Sequence, residues 1–328
     1  MSDTTIFLVL FLVFAAPFAL YVLAALVLAL LPSAKLHPSY AGKHVLITGG
    51  SQGLGRALAL QLVDAGANVT IVARSVDKLR AVVAEAEKSA TPGRGRIAYQ
   101  SSDTRDAASV QSAVVQAETV FGPIEILLPV AGKAVTAKID EISLDEHKAA
   151  MDLNYFGTLN TVDAVLPGMR ARQRGSIVFI TSGAALATYV GYAAYSPSKF
   201  AVRGLAECLH NELAGSGVSV HIAYPGQMNT PGYAAEMLTK PAECKAIEAN
   251  DTLHTPEAVA ASILRDLQHG AYSMYGGDVL VRLLGAASSG MMPRTNWALD
   301  VLLFPLLVLI AWFVRNDWAS AVKKGLRS

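Results

Sequence analysis

The sequence predicts an α/β fold, a doubly wound parallel sheet covered by helices, with an apolar segment at each end of the chain. Three observations carry this expectation. Short β-rich runs alternate with longer helical patterns, a glycine loop joins the first run to the first helical pattern, and the apolar excess is concentrated at the two ends. The chain has 328 residues with 27 basic and 26 acidic side chains, so net charge announces no surface for nucleic acid. Charged residues make up only 16%. A typical soluble domain carries about 25%, which points to lipid contact for part of the chain. Two cysteines, Cys208 and Cys244, are too few for a disulfide scaffold and lack zinc spacing. The seven histidines form no ligand cluster, so no metal is expected.

The first element is an apolar run over 6–31, interrupted by Pro17, with no charged side chain between Asp3 and Lys35. About 20 apolar residues span a bilayer. A cleaved signal peptide would have a shorter apolar region behind a basic leader, whereas this leader carries Asp3. Residues 1–34 are therefore read as a transmembrane anchor. Lys35, His37, Lys43 and Arg56 follow it, so the positive-inside bias places the main domain in the cytosol.

Residues 35–275 form the predicted catalytic domain. Strands are expected at 44–48 (HVLIT), 68–73 (NVTIVA), 97–100 (IAYQ), 124–128 (IEILL), 176–180 (SIVFI) and 218–223 (VSVHIA). Helices are expected at 57–65, 77–88, 107–120, 144–172, 193–214 and 256–267. Alternating strands and helices imply parallel pairing with right-handed crossovers. The strands lack clear polar alternation, as expected when both sheet faces are covered. The expectation is a Rossmann-type sheet.

Residues 276–328 form the predicted C-terminal membrane-associated segment and basic tail. The stretch 279–292 is apolar except for Arg282 and reads as a last strand followed by a helix docking on the membrane. The uncharged stretch 301–314 is 14 residues long, bracketed by Asp300 and Arg315. That length suits an interfacial, re-entrant or buried helix better than a full span.

The loop Thr48-Gly49-Gly50-Ser51-Gln52-Gly53-Leu54-Gly55 follows the first strand and opens into a helix. Glycines let backbone approach a pyrophosphate, and the helix N-terminus offers free N–H groups. The strand–loop–helix context makes this a dinucleotide site, with Gly49, Ser51, Gln52, Gly53 and Gly55 as its cradle. An NAD site places an acid about 20 residues after the glycines, but here Ala73 and Arg74 occupy that position. A guanidinium can grip a 2′-phosphate through charge-assisted bonds, and Lys78 and Ser51 add donors. The expected cofactor is NADPH.

Tyr195 and Lys199 lie at i and i+4, on one face of a helix. Ser182 lies upstream, just past the fifth strand. A tyrosine of pKa about 10 needs roughly 4 kcal/mol of preference for the phenolate to act near neutrality. An ammonium about 4 Å away supplies that at an effective dielectric near 20, and Lys199 is the expected source. Tyr195 would give its proton to a carbonyl oxygen as hydride arrives at carbon, while Ser182 polarises that oxygen.

Over about residues 41–270 the chain resembles the short-chain dehydrogenases/reductases. The matching marks are Thr48 to Gly55, Asp103 after the third strand, Asn154 in LNYFGT, Ser182, Tyr195, Lys199 and Pro225-Gly226. The resemblance implies that Asp103 bonds the adenine and that Asn154 holds a water linking Lys199 to solvent. It also implies that Tyr195 and Lys199 contact the cofactor. The long helices beside the site are common dimer faces in that superfamily. One motif departs: Asn-Asn-Ala-Gly after the fourth strand reads Pro129-Val130-Ala131-Gly132, without the side-chain bonds that brace the central sheet.

Within the superfamily the chain looks like the membrane-anchored 3-ketodihydrosphingosine (3-dehydrosphinganine) reductases almost end to end. The N-terminal anchor, TGGSQGLG, VARSVDKL, AYSPSKFAVRGLAE and AYPGQMNTPG…LTKP carry that likeness. It implies NADPH-dependent reduction of a long-chain amino ketone lipid at the cytosolic face of the endoplasmic reticulum membrane. A long alkyl chain gains about 0.8 kcal/mol per CH₂ buried in lipid, so such a substrate stays in the bilayer. Met228, Tyr233, Met237 and Leu238 are candidates for an apolar flap between site and bilayer. The competing readings are an anchored reductase of a steroid, retinoid or 3-ketoacyl-CoA, and an inactive NADPH-binding membrane scaffold.

Overall fold

In the computed structural model the described residues are 11–30, 39–88, 92–288, 290 and 297–325. Seven strands form one sheet: β1 (His44–Thr48), β2 (Asn68–Ala73), β3 (Ile97–Ser101), β4 (Ile126–Pro129), β5 (Gly175–Ile180), β6 (Val218–Ala223) and β7 (Ser273–Met274). Their order is β3-β2-β1-β4-β5-β6-β7, and every neighbouring pair is parallel. The strand order reverses at β1 and β4, so the connections leaving their carboxyl ends diverge to opposite faces and leave a crevice.

Helices cover both faces: α2 (Gly53–Asp64), α3 (Val76–Glu87), α4 (Ala107–Phe121), α5 (Leu144–Met151), α6 (Gly157–Ala171), α7 (Tyr195–Glu212), α8 (Pro231–Thr239), α9 (Ala242–Ile247) and α10 (Pro256–Gln268). Two large buried clusters, one containing Ile177, Phe179 and Val202 and the other Ile47, Leu58 and Ile263, dominate the core, with a small third cluster at Ile142, Ala150 and Ala194. Every residue of β1 is buried, which is why its sequence does not alternate. Ser75, Asp106, Ser143 and Thr255 cap α3, α4, α5 and α10 through their side chains.

The fold class agrees with the sequence, and four local differences have identifiable causes. The helix expected over 144–172 is interrupted by a π-helical turn at Asp152–Phe156, which widens the helix where Asn154 turns inward. The strand expected within 279–292 is instead helix α11 (Val279–Ser288), started by Asp278, whose carboxylate accepts from the Val281 N–H at 3.0 Å. Residues 291 and 292 lie outside the described residues. The last strand is the two-residue β7, too short to register as a pattern. Helices α8 and α9, each entered through a proline, were not anticipated from the sequence.

Pro129 ends β4 with little disruption, because the ladder to β5 extends only through Leu127. The bracing expected from the missing asparagines is supplied in part by Thr48, whose carbonyl and hydroxyl oxygens accept from the N–H groups of Val130 and Ala131 at 3.2 and 3.4 Å.

At the N-terminus a π-helical turn, Phe11–Ala15, leads into α1 (Ala16–Leu30), whose Phe18, Leu20, Leu23 and Val27 are exposed. Residues 6–10 and 31 of the expected anchor lie outside the described residues. Helix α12 (Trp297–Gly325) packs on both α1 and α11. It continues through Arg315 and Asp317, so the 14-residue apolar extent read from the sequence is corrected to one longer helix. Its stretch Leu302–Gly325 is long and apolar enough to cross a membrane by length and composition, and fits a membrane segment.

Two strand histidines make the fold sensitive to acid. His44 and His221 are 1% and 3% exposed, and burial is the largest cause holding each imidazole below its usual pKa. His44 Nδ1 donates to the Gly122 carbonyl at 2.6 Å, so Nε2 accepts from the Thr70 hydroxyl at 3.0 Å in the neutral ring. A depressed histidine contributes its stability above the unfolded pKa of about 6.5 and loses it as pH falls below that value. Stability measured by denaturant at about pH 7.5 and about pH 5.5 should therefore drop on acidification, and His44→Gln should drop less. An equal drop in the variant would remove His44 as a cause.

Candidate active site

The crevice at the carboxyl ends of β1, β4 and β5 opens into a cavity of about 1320 Å³. The β1–α2 loop forms one wall. Gly49 has φ +69°, and a Cβ there would lie 2.7 Å from the Ala131 nitrogen. A Cβ on Gly55 would collide with the Gly49 carbonyl, so the first turn of α2 rests directly on the loop. Gln52 gives α2 no side-chain cap, which leaves the first-turn N–H groups for a ligand. Its Oε1 instead accepts from Lys78 Nζ at 3.1 Å.

Ser51, Gln52, Gly53, Arg74, Lys78 and Asp103 all border the same cavity. The Arg74 side chain is 67% exposed, and its nearest carboxylate contact is Asp103 at 4.0 Å. Asp103 is gripped by Arg105, with Nη2 to Oδ2 at 2.5 Å and Nε to Oδ1 at 3.0 Å. That hydrogen-bonded guanidinium holds the Asp103 carboxyl at about 2, well below the usual range. The Arg74 fork is therefore not consumed by a close ion pair.

Ser182, Tyr195 and Lys199 converge on the cavity floor. Ser182 follows β5 and accepts from the Ala184 N–H at 3.2 Å. Tyr195 opens α7, and Lys199 lies one turn further on, 5% exposed, donating to the Ile180 carbonyl at 3.0 Å. Burial pushes the Lys199 ammonium down to about 8. Burial raises Tyr195 well above its usual pKa, the hydrogen bond with Ser182 lowers it, and the Glu236 carboxylate raises it. Lys199 Nζ sits 5.8 Å from the Tyr195 ring centroid and donates to the Ile180 carbonyl at the strand end. The phenol is held protonated, the state a proton donor requires.

Asn154 is fully buried behind this floor. Its Oδ1 accepts from the Lys133 N–H at 2.9 Å, and its Nδ2 donates to the Lys133 carbonyl and to Ser198 Oγ at 3.1 and 2.8 Å. It makes no direct bond to Lys199. The two flank Gly132, where a Cβ would lie 2.9 Å from Asn154 Oδ1 and 3.3 Å from Lys199 Nζ. Of the flap candidates, Met228 and Tyr233 reach the cavity wall. Met237 and Leu238 do not, and Leu238 stands 85% exposed.

Sequence reasoning missed the polar wall opposite the loop. Lys240, with its side chain fully buried, bridges Glu236 at 2.8 Å and Glu248 at 2.5 Å. The hydroxyls of Tyr189 and Tyr192 close on Glu248 at 2.8 and 2.7 Å. The TPG…LTKP spacing was the available signal, but it names a segment and not its contacts. An outer wall comes from Val281 and Leu284 of α11 and from Leu307, Val314 and Trp318 of α12.

The short chain dehydrogenase family model matches residues 43–240. A 3-dehydrosphinganine reductase from Danio rerio is 36% identical over 288 residues, 86% of each chain. A 3-ketodihydrosphingosine reductase from Bos taurus is 35% identical over the same share of both chains. Among solved structures, a short-chain dehydrogenase/reductase from Mycobacterium ulcerans superposes with TM-score 0.66 at 29% identity, covering 74% of this chain and 91% of that one. A short-chain dehydrogenase from Mycobacterium paratuberculosis bound to NAD gives TM-score 0.62 at 28% identity, covering 70% and 92%.

The glycine loop yields a direct test. Gly55→Ala should weaken nicotinamide-cofactor binding at least about tenfold, because moving the helix N-terminus by a fraction of an ångström disturbs several charge-assisted bonds of about 1.5–3 kcal/mol each. Fluorescence titration with the cofactor, with circular dichroism to verify the fold, reads the effect. Unchanged affinity would show that the cofactor does not rest on this turn.

Proposed function

Because the chain belongs to the short-chain dehydrogenases and, within them, to the 3-ketodihydrosphingosine reductase family, we propose that it uses NADPH to reduce the 3-keto group of 3-ketodihydrosphingosine to sphinganine. One observation carries the reading: Ser182, Tyr195 and Lys199 share a single cavity with the apolar helices α11 and α12. On this reading the reacting carbonyl sits at the floor and the alkyl chain lies along the outer wall.

The β1–α2 loop fits a pyrophosphate and Arg74 with Lys78 fits a 2′-phosphate. NADPH, when bound, would supply the hydride. Ser182 donates a hydrogen bond to the substrate oxygen, and Tyr195, held protonated by its surroundings, delivers the proton as negative charge develops there. Lys199, anchored on the Ile180 carbonyl, would hold the nicotinamide ribose of a bound cofactor with its remaining donors. Asn154 fixes the Lys133 backbone and Ser198 around that lysine.

The endoplasmic reticulum membrane, with the catalytic domain on the cytosolic side, is the proposed location. Helix α12 touches the domain at Leu307, at Trp318 (4.8 Å from the Tyr189 ring) and near Glu243 at Gly325. These contacts are spread over about five turns, which favours a helix lying along the domain over one leaving it to cross the bilayer. Its Phe304, Leu306, Leu309, Trp312 and Phe313 remain exposed for lipid.

Detergent-solubilised protein given NADPH and 3-ketodihydrosphingosine, beside a steroid, a retinoid and a 3-ketoacyl-CoA, tests the assignment. Preference for any competitor would replace the substrate, and cofactor binding without turnover would favour the inactive scaffold. Tyr195→Phe should abolish reduction while leaving NADPH affinity nearly intact, since only the transferable proton is lost. Retained activity above a few per cent would remove Tyr195 from that role.

Cofactor choice has its own test. Arg74→Ala should lower the preference for NADPH over NADH by about 10- to 100-fold, the worth of one charge-assisted contact of about 1.5–3 kcal/mol. Steady-state kinetics with both cofactors measure it. An unchanged ratio would move the selectivity to Lys78 or Ser51.

A further inference from the structure

The polar wall facing the catalytic tyrosine contains two carboxylates that differ in one respect. Glu248 is saturated. Its Oε2 takes the Lys240 ammonium, and its Oε1 takes the hydroxyls of Tyr189 and Tyr192 and the Cys244 thiol. Glu236 is half used. Its Oε1 receives the Lys240 ammonium at 2.8 Å and lies 2.7 Å from the Tyr192 hydroxyl, whose single proton it shares with Glu248, and among the described residues nothing bonds to its Oε2. The side chain is 13% exposed and borders the cavity.

Charge and position make this oxygen selective. One lysine faces two glutamates here, so the wall carries a net negative charge. Asp251, further along, is pushed up to about 6, chiefly by burial, is mostly ionised near neutrality and already accepts from Gln227 Nε2 at 3.2 Å. Asp278 is already engaged by His254 and the Val281 N–H. The Tyr192 ring that positions Glu236 lies 5.8 Å from the Tyr195 ring. Glu236 and Tyr195 line the same cavity, and the Glu236 carboxylate is close enough to act electrostatically on the Tyr195 phenol.

We infer that Glu236 recognises the substrate's ammonium, the 2-amino group on the carbon adjacent to the ketone, and so selects amino ketones over neutral ketones of the same length. The inference rests on the reductase reading above and specifies its selectivity. Lys240 and Tyr192 act as positioning residues, because they fix Oε1 and thereby aim Oε2.

The arrangement also favours catalysis with the cationic substrate. An uncompensated carboxylate near Tyr195 opposes formation of the phenolate when the proton leaves. A bound ammonium cancels that field, whereas a neutral ketone leaves it in place. Discrimination is therefore expected in kcat as well as in KM.

The test compares 3-ketodihydrosphingosine with its N-acetyl analogue, using full-length enzyme in detergent with NADPH. The unaltered enzyme should favour the amine by at least about tenfold in kcat/KM. In Glu236→Gln that ratio should fall by about 10- to 100-fold, as expected for a lost charge-assisted bond, with NADPH affinity measured by fluorescence as the check on folding. A ratio unchanged in the variant overturns the role of Glu236 and leaves the reductase reading standing. So does a variant that loses both activities together with NADPH binding, since Glu236 would then be structural. Equal turnover of both ketones by the unaltered enzyme also removes ammonium recognition alone. Turnover of neither removes the substrate reading and this inference with it.

Discussion

The active site is organised around a buried ammonium with too few partners. Lys199 is 5% exposed, carries three N–H donors and spends one on the Ile180 carbonyl. Burial without a counter-ion lowers its pKa to about 8, so holding the charge there has a cost. The surrounding structure is built to keep that cost from being relieved. Gly132 has no side chain to fill the space beside Nζ, and Asn154 turns its polar atoms to Lys133 and Ser198. The π-helical turn at Asp152–Phe156 is what brings Asn154 to that position. The remaining donors are left for groups that arrive during the reaction.

Lys240 shows the opposite solution a short distance away. Its side chain is fully buried, yet two carboxylates hold it and the Tyr192 and Tyr233 rings lie 5.6 and 5.3 Å from its Nζ. Those partners outweigh desolvation and keep it charged. Removing one partner from such a network strands a buried charge, so the cluster is a rigid fixture. It ties α8 and α9 to the segment bearing Tyr189 and Tyr192, and through them to the start of α7. One lysine is left unsatisfied where chemistry is needed, and the other is saturated where geometry is needed.

The sheet and the glycine loop were legible because each is local. Buried parallel strands leave runs such as HVLIT and NVTIVA, and the loop between β1 and α2 has a spacing dictated by close backbone approach. The Lys240 cluster was not legible, because its members are spread from Tyr189 to Glu248 and no periodicity connects them. The helix at Val279–Ser288 reads as a strand from its Val-Leu-Val start, and only the Asp278 cap decides otherwise. The Tyr195–Lys199 spacing correctly put both residues on one helix. It could not reveal that Nζ donates to Ile180, nor that burial, with a smaller contribution from Glu236, raises the phenol's pKa. Pairwise spacing reports reach, whereas a pKa is set by everything within reach.

Helix α12 joins the chemistry to its setting. The same helix has Leu307, Val314 and Trp318 on the cavity and Leu306, Leu309 and Phe313 exposed on its outer side. A soluble enzyme would leave such a surface as an aggregation hazard, whereas a bilayer makes it favourable. An alkyl chain moving from lipid into this cavity then exchanges one apolar environment for another and gains little from transfer itself. Affinity and selectivity must therefore come from the polar end of the substrate. Under the proposed function, a site fed from lipid would discriminate weakly by burying methylenes, and the charged wall facing Tyr195 would do the sorting.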